Sequence, residues 1–411
     1  MLRVLDAWSA DAIALVDRRV TRDPVLLRRV RTIVEAVRRE GDAALDRYAR
    51  RFDHLEGDIE IPMDDARRLA ATAPPDVRRA VAACARHSRR VARAQLPRAA
   101  RVAIAPGVVV EHAVTPLSRV GCYAPGGRFP LPSSLLMTAV PAQVAGVPDI
   151  VAVSPRIDAV LAAAAIEAGV SRLFRMGGAH AIAALAYGTG RVPRVDKIVG
   201  PGNRYVAAAK AQVAHDCPID FEAGPTELVW ATDRARPEWV ASDLAAQAEH
   251  DPDARAFLVT TSRRQANAVR DALARLAPSS GVAGTALAMN GAALVARSRG
   301  EVLELVNRIA PEHLATDDEW VVAQRPLAGT IFVGASAPPA AGDYATGSNH
   351  VLPTAGAARF RGGLNAADFV RVVAVQRLTR AGLRGIAGAA LTMAGVEGLT
   401  AHAASIAARL R

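Results

Sequence analysis

Residues 118–153 have the sequence SRVGCYAPGGRFPLPSSLLMTAVPAQVAGVPDIVAV, in which two short apolar runs flank one helical stretch. The runs at 120–123 and 150–153 have the length of buried strands, and the segment 133–144 between them is long enough for a helix. The alternation continues with apolar runs at 173–175, 197–199 and 219–221 and helical stretches at 157–168, 179–186 and 205–214. This alternation predicts a doubly wound, mostly parallel sheet.

A second alternating series begins with an apolar run at 228–231, continues through a helical segment to 256–261, and ends with a run at 330–333 before a long loop. The first 115 residues have a helical pattern, with segments near 10–20, 24–40, 42–52 and 75–95, and the tail is helical again from about residue 364. A chain of 411 residues, 51% of them hydrophobic, is long enough for two or three domains with their own cores. We therefore expect an α/β protein with two α/β units.

The formal charge of +11 does not indicate nucleic acid binding. The only lysines are Lys197 and Lys210, and the arginines are densest in amphipathic N-terminal helices without interleaved aromatic residues. The three cysteines, Cys84, Cys122 and Cys217, are unclustered, which is typical of core residues in a reducing compartment. No run of eighteen apolar residues and no signal-peptide pattern occurs, so we expect a cytoplasmic protein that does not enter a membrane.

Gln247 and His250 stand one helical turn apart in a segment that Pro237 would begin and Pro252 would end. An amide oxygen and an imidazole nitrogen on one helix face have the spacing of metal ligands. Such a pair is also common on ordinary helix surfaces, and zinc needs three or four convergent ligands. Any further ligands must come from elsewhere in the chain.

Two glycine-rich turns follow predicted strands. Gly200-Pro-Gly-Asn203 lies between a strand and a helix, where free backbone amides suit an anionic group such as a dinucleotide pyrophosphate. The alternative is a structural turn that needs glycine geometry, since no Gly-x-Gly-x-x-Gly follows the first strand. The second turn, Tyr123-Ala-Pro-Gly-Gly127, lies at the carboxyl end of a strand, where α/β sheets bind ligands.

Candidate acid–base and ligand residues follow downstream. Glu312 and His313 are adjacent and offer two proton carriers with reference pKa values near 4.3 and 6.5, although a Glu-His pair is often only a surface feature. The turn-rich segment 341–350 predicts a loop that contains Asp343 and His350, each able to complete a metal site. On composition alone the two are equally good ligands.

His402 lies on a C-terminal helical stripe with Leu399, Ile406 and Leu410, which predicts a packed core histidine. Glu397 lies just ahead of this stripe. A histidine beside a carboxylate on a detached tail could equally be a site element delivered to another subunit.

Together these pieces resemble the histidinol dehydrogenase family, and the resemblance covers nearly the whole chain. The motifs that carry it, in chain order, are Gly121-Cys-Tyr-Ala-Pro-Gly-Gly, Pro132-Ser-Ser-Leu-Leu-Met, Asp196-Lys-Ile-Val-Gly-Pro-Gly-Asn, Ala223-Gly-Pro-Thr-Glu, Gln247-Ala-Glu-His, Pro311-Glu-His-Leu and Ser348-Asn-His-Val-Leu-Pro-Thr. The resemblance implies two incomplete Rossmann-like domains with small helical terminal elements, assembled as a homodimer with shared sites. The implied division has an N-terminal helical element at 1–20, a first α/β domain at 21–117 plus 228–362, and a second α/β domain on the NAD-binding side at 118–227. A C-terminal helical tail at 363–411 would reach the partner subunit.

The resemblance also implies the residue roles. His313 would be the base that removes the substrate hydroxyl proton, and Glu312 would activate water. One zinc ion per subunit would be held by Gln247, His250 and Asp343, with His402 from the other subunit, and His350 is not implied as a ligand. The substrate contacts would be Thr226, Gln247, His250, His313, Asp343, Glu397 and His402, and the NAD contacts would be Tyr123, His180 and Asn203.

The implied activity is a zinc- and NAD-dependent four-electron oxidation of L-histidinol to L-histidine through bound L-histidinal, at the end of histidine biosynthesis. The sequence departs from the family pattern at Thr226, where serine is common, at His180, where glutamine is common, and at Cys122, where an aliphatic residue is usual. A paralogous zinc and NAD alcohol dehydrogenase acting on another small amino- or sulfo-substituted alcohol is therefore the alternative. A silent two-domain binding protein would need neither Glu312 nor His313.

Overall fold

The computed structural model describes residues 2–18, 23–126, 131–222, 224–276 and 280–411. Gly127 of the first glycine turn and Ala223 of the Ala-Gly-Pro-Thr-Glu motif lie outside these ranges. The strands are β1 Arg3–Asp6, β2 Glu60–Ile61, β3 Ala100–Ala105, β4 Val108–Pro116, β5 Arg119–Tyr123, β6 Asp149–Ser154, β7 Arg172–Arg175, β8 Lys197–Val199, β9 Glu227–Ala231, β10 Arg255–Thr260, β11 Ala292–Val295, β12 His313–Thr316, β13 Thr330–Val333 and β14 Val370–Leu378.

The α-helices are α1 Ala10–Val16, α2 Pro24–Glu40, α3 Asp42–Phe52, α4 Met63–Ala71, α5 Pro75–Gln95, α6 Pro132–Val144, α7 Ala159–Glu167, α8 Gly178–Tyr187, α9 Arg204–Val213, α10 Pro237–Ala248, α11 Arg263–Leu276, α12 Gly281–Asn290, α13 Arg299–Ile309, α14 Glu319–Ala323, α15 Pro339–Tyr344, α16 Arg380–Val396 and α17 Thr400–Ala407. Short 3-10 helices lie at Ala357–Arg359 and Ala366–Phe369. No helix in the described ranges is both long and apolar enough to cross a membrane.

The first sheet has the strand order β2-β7-β6-β5-β8, and only β2 runs antiparallel to its neighbour. From β5 the chain moves through β6 and β7 to one side and then returns to place β8 on the other side. Helices cover both faces, because one apolar cluster includes α8 and α9 and another includes α6 and α7. The predicted strand at 219–221 is reduced to a single bridge between Ile198 and Ile219.

The second sheet is entirely parallel and has the order β1-β11-β10-β9-β12-β13. Its two faces are covered by separate apolar clusters, one including α10, α11 and α12 and the other including α1 and α13. The predicted α/β class with two doubly wound units is confirmed. The strand order in this sheet reverses between β9 and β12, as it does between β5 and β8 in the first sheet.

The N-terminal segments pack differently from the expected division of the chain. Val30, Val34 and Val37 of α2 form a buried stripe in the cluster that includes the alanine-rich helix α8, and α5 packs on α6, so 24–95 covers the first sheet. That division placed 21–117 with 228–362. The segment 1–20, expected to be helical, contains the helix α1 and also adds β1 to the second sheet beside β11. The pattern that predicts a helix is local in the sequence, whereas the sheet on which that helix packs depends on residues far away in the chain.

The tail is also not purely helical. Residues 370–375, with the sequence VRVVAV, are rich in β-branched side chains, and β14 pairs antiparallel with β4 in a third sheet of order β14-β4-β3. Helices α16 and α17 follow. Large apolar side chains on this sheet and tail are exposed in the single chain, namely Val102, Ile104, Val372, Val373, Leu378, Met393, Val396 and Leu399.

Candidate active site

A cavity of about 150 Å³ lies between the two sheets. It is lined by residues of the Gly200 turn and by the candidate catalytic residue Glu312. Gly200 and Gly202 follow the carboxyl end of β8 in the first sheet, and Thr226 and Glu312 precede β9 and β12 at the amino edge of the second. Two groups of residues singled out in the sequence are therefore brought together. The arrangement places the Gly200 loop, a type of turn that suits anion binding, beside the carboxyl group of Glu312.

Glu312 directly precedes β12, His313 begins it, and both side chains are buried. The His313 Nδ1 atom lies 3.2 Å from the carbonyl oxygen of Glu227, so Nδ1 donates to it and Nε2 is the basic nitrogen. Nε2 lies 3.9 Å from Asp343 Oδ1. Burial lowers the pKa of His313, and the nearby Asp343 carboxylate partly offsets this effect. The imidazole is therefore neutral at pH 7 and able to accept a proton at Nε2.

Burial raises the pKa of Glu312 to about 7, against the lowering effect of hydrogen bonds from Thr226 and from the backbone of Glu227. Thr226 Oγ1 donates to Glu312 Oε2 at 2.5 Å, and the Glu227 N–H donates to the same oxygen at 3.0 Å. A carboxyl group with a pKa near neutrality can both accept and return a proton.

Gln247 is joined to this pair through Thr226, because the Gln247 Nε2 amide donates to Thr226 Oγ1. This bond orients the amide nitrogen toward Thr226 and leaves the amide oxygen for another partner. Helix α10 ends at Ala248, with Glu249 as its C-cap, so His250 lies beyond the helix rather than on the expected helical face. The helix is shorter than the Pro237 to Pro252 segment predicted.

Of the metal ligands expected from this chain, His250 lies close enough to Asp343 to affect its carboxylate. Burial raises the pKa of Asp343, and the nearby His313 and His250 partly offset the effect. Among the described residues no three His, Cys, Asp or Glu side chains form a group that could hold a metal by themselves. The expected set has only two ligands of these types in one chain, His250 and Asp343, with the amide oxygen of Gln247 as the third. These donors fit zinc only if another nitrogen or oxygen ligand completes them.

His350 contacts the backbone of Asp343, the other candidate ligand of this segment. Its Nδ1 donates to the backbone carbonyl of Asp343 at 2.8 Å, and its Nε2 lies 3.4 Å from Ser134 Oγ. Burial lowers the pKa of His350 to about 4, so the ring is neutral. Asp343 lies on the short helix α15 rather than in the loop that the sequence predicts.

A buried ion pair, Lys210 with Asp220, supports the loop at Gly200. Lys210 Nζ donates to the Gly200 carbonyl oxygen at 2.9 Å and to Asp220, whose other oxygen accepts from the Gly200 N–H at 2.8 Å. Gly200 has φ +118, and a Cβ atom there would lie 2.2 Å from the Tyr123 carbonyl oxygen. Asn203 caps α9 by accepting from the N–H of Tyr205 at 2.9 Å. Both glycine freedom and the ion pair thus shape the loop.

Tyr123 and His180 support the neighbouring loop from inside. The Tyr123 hydroxyl accepts from the Gly178 N–H at 3.1 Å, and burial raises the pKa of this tyrosine to about 12. His180 is only 1% exposed, and its Nε2 lies 2.8 Å from Asp53 Oδ2, which also accepts from the Gly177 N–H. Both side chains therefore hold the 177–178 backbone in this packing. Asp53 was not singled out from the sequence.

The structure does not bring Glu397 and His402 to the other candidates within one chain. Both are exposed, and α17 has no buried residue, so the predicted core histidine is wrong for the single chain. The exposed stripe agrees with the other hypothesis, in which the tail supplies a second subunit.

Sequence reasoning missed Glu227, the residue after Thr226. Its carboxylate is buried, pairs with Arg255 at 2.9 Å, and has its pKa raised to about 7 by burial, although Arg255 lowers it. Arg255 also donates to the carbonyl oxygens of Leu15 and Val16. The signal in the sequence is a lone acid at the start of the apolar run Leu-Val-Trp-Ala.

Comparison with known proteins extends these observations. A model of the histidinol dehydrogenase family matches residues 16–410. Histidinol dehydrogenase of Acinetobacter baylyi is 41% identical over 399 residues, covering 93% of each chain, and that of Halobacterium salinarum is 44% identical over 392 residues, covering 92% of each. The crystal structure of histidinol dehydrogenase from Elizabethkingia anophelis matches with a TM-score of 0.94 at 30% identity, over 100% of this chain and 98% of that one. The similarity includes both sheets and the tail.

Proposed function

The chain belongs to the histidinol dehydrogenase family of oxidoreductases, and from this premise we propose that it is a zinc- and NAD-dependent enzyme that oxidises L-histidinol to L-histidine. The observation that carries the proposal is the buried Glu312–His313 pair, of which Glu312 lines the cavity that also reaches the Gly200 loop. One group is a neutral base and the other has a pKa near 7. The proposed chemistry needs both.

His313 would remove the proton of the substrate hydroxyl group at Nε2 in each oxidation. The bond from Nδ1 to the Glu227 carbonyl fixes the tautomer, so the basic nitrogen faces the side where Asp343 lies. Burial keeps the ring neutral before the step, and Asp343 favours the imidazolium that forms. The ring then releases the proton before the second oxidation.

Glu312 would take a proton from the water that adds to the bound aldehyde L-histidinal. Its Oε2 atom is fixed by Thr226 and the Glu227 N–H, which leaves Oε1 as the proton acceptor. The hydrate then has a hydroxyl group that His313 can deprotonate, and loss of a second hydride leaves the carboxylate. Keeping the aldehyde bound between the steps prevents its escape.

Gln247, His250 and Asp343 would hold zinc together with His402 of the partner subunit. When bound, zinc would act as a Lewis acid that favours the alkoxide form of the substrate. The proposal is supported by the bond from Gln247 Nε2 to Thr226, which leaves the amide oxygen free of that contact, and by the proximity of His250 and Asp343. Thr226 and Glu397 would complete the substrate site, the latter from the partner.

NAD would accept the hydride, at the carboxyl edge of the first sheet. The Gly200-Pro-Gly-Asn203 turn lies where β8 meets the start of α9, at the reversal of strand order beside β5. Tyr123 and His180 are buried, so their proposed contribution includes holding the 177–178 backbone that faces this edge. Asn203 is exposed at the start of α9, where a direct contact is open to it.

A homodimer with exchanged tails would cover the exposed apolar side chains of the third sheet and of α16. Val372, Val396 and Leu399 are among them, and a patch of this kind usually marks an interface. The dimer would also supply His402 and Glu397 to the partner's site. A cytoplasmic location remains a prediction from the sequence.

The decisive experiment is NAD reduction by L-histidinol with the zinc-loaded protein, with the product identified by mass. We expect two NADH for each L-histidine, loss of activity on zinc removal, and a fall of roughly 100-fold or more in kcat for His313→Ala. A folded, zinc-binding protein that does not oxidise L-histidinol but oxidises another small amino- or sulfo-substituted alcohol would assign the paralogous function.

The shared site has its own test. His250→Ala and His402→Ala variants should each be inactive, but a mixture with exchanged subunits should recover about one quarter of the wild-type activity. Half of the dimers would be mixed, and each would hold one intact site. No recovery after verified subunit exchange would refute the partner's contribution.

A further inference from the structure

A second cavity, of about 270 Å³, lies at the carboxyl edge of the second sheet. It is formed where β9 ends at Ala231 and where Asp317 follows β12. The candidate active site lies at the amino ends of the same two strands, so roughly 15 Å of strand separates the two places. The proposed oxidation therefore does not use this cavity.

The cavity lies where the strand order reverses. From β9 the chain moves through β10 and β11 to one side, and β12 then pairs with the other side of β9. Crevices at such reversals are the usual ligand sites of open parallel sheets. In the first sheet the equivalent place, between β5 and β8, holds the Gly200 turn.

The floor of the cavity is apolar. Ala231, Val259, Val302 and Val321 line it, and all four belong to the buried cluster between the sheet and α13. The branched side chains of the three valines offer a surface to an aliphatic group.

The rim of the cavity has opposite charges. Arg234 Nη2 donates to the Asp317 carbonyl oxygen at 3.2 Å, and its side chain is 76% exposed. Asp317 Oδ1 is buried and has no hydrogen-bond partner among the described residues, while its Oδ2 lies 3.8 Å from Arg234 Nε. The other charged residues of the rim are already engaged, Arg299 with Asp318 and Asp233 with the two threonines that follow β10.

We propose that this cavity binds a small aliphatic α-amino acid as a zwitterion. Arg234 pairs with the carboxylate, Asp317 accepts from the ammonium group, and the side chain lies on the valine floor. A dinucleotide would need a glycine-rich turn for its pyrophosphate, whereas Thr-Asp-Arg-Ala follows β9. The three carboxylates of the rim also disfavour a phosphate.

The test uses L-valine as the probe and the full-length protein, with binding measured by calorimetry and by ligand-observed NMR. Isovalerate lacks the ammonium group and isobutylamine lacks the carboxylate, so both should bind at least roughly 10-fold more weakly. Arg234→Ala and Asp317→Asn should each weaken L-valine binding by a similar factor. Arg236→Ala is the matched control, because Arg236 is exposed and does not line the cavity.

Circular dichroism and thermal melting establish that each variant is folded before binding is compared. L-Valine affinity that falls in Arg234→Ala and Asp317→Asn but not in Arg236→Ala supports the site. No saturable binding of L-valine in the millimolar range overturns it, as does equal binding of isovalerate or unchanged binding in both cavity variants. The measurement does not depend on turnover of L-histidinol, so failure of the proposed function would leave its outcome readable.

Discussion

Replacement of Thr226 by valine should shift the pH profile of the reaction, because it changes the pKa of Glu312. Valine has the shape of threonine but cannot donate, so the 2.5 Å bond from Oγ1 to Glu312 Oε2 is lost. That bond favours the ionised carboxylate and lowers its pKa, against the burial that raises it to about 7. Removing the bond must therefore raise the pKa of Glu312 further.

The size of the effect follows from the loss of a hydrogen bond to a buried, charged carboxylate. A hydrogen bond to a charged group contributes about 1.5–3 kcal/mol, and one pKa unit corresponds to about 1.4 kcal/mol. The pKa of Glu312 should thus rise by roughly one to two units. At pH 7 the ionised fraction would fall from about a half to between roughly a tenth and a hundredth, so a step that needs the carboxylate should slow by about 5- to 50-fold.

The assay is the pH profile of NADH formation, with L-histidinol and separately with L-histidinal, because only oxidation of the aldehyde requires Glu312 to activate water. We expect the acid limb of the Thr226→Val profile to move to higher pH and the rate to recover in alkali. Thr226→Ser keeps the hydroxyl and should retain the wild-type profile. An unchanged acid limb in a folded, zinc-loaded Thr226→Val enzyme would refute the assignment of that limb to Glu312.

Two further substitutions address the loop and its support. Gly200→Ala should raise the KM for NAD and lower the free energy of unfolding by more than about 1 kcal/mol, because the position has φ +118° and the added methyl group meets a backbone carbonyl. The control Gly300→Ala, in an open position on α13, should change the free energy of unfolding by no more than about 1 kcal/mol. Equal effects of the two substitutions in urea unfolding would contradict the steric argument. Lys210→Met should lower the free energy of unfolding by about 3–5 kcal/mol, because it leaves Asp220 buried without its cation. The double variant Lys210→Met, Asp220→Asn should lose less of this free energy. A double variant that loses as much would argue against the uncompensated charge as the cause.

Local patterns predicted much of the helical structure. The segments 24–40, 42–52 and 75–95 have the bounds of α2, α3 and α5, because each has a starting signal and an amphipathic repeat. The sheet on which these helices pack was not predictable in the same way. Val30 and Val37 would suit any apolar surface, and only the complementary face of α8 selects the first sheet.

The candidate site shows the same division between local and distant information. The sequence predicted acid–base chemistry at Glu312 and His313, but it did not reveal the buried groups around them. Glu227, Arg255 and Asp53 act through pairings with residues far away in the chain. A lone acid in an apolar strand is a weak local sign of such a pairing, since burial of a charge requires a partner.

The opposite orientation of the two sheets at the site has a physical reason. The carboxyl edge of the first sheet ends in the Gly200 turn and the start of α9, whose backbone N–H groups suit an anionic cofactor and need little from side chains. The amino edge of the second sheet instead presents side chains at the start of rigid strands, such as Glu312 just before β12 and His313 as its first residue. Proton transfer requires fixed side-chain atoms, whereas anion binding requires free backbone donors. Because the carboxyl edge of the first sheet faces the amino edge of the second, one cavity has both free backbone donors and fixed side-chain atoms. The carboxyl edge of the second sheet is then left for the separate ligand proposed above.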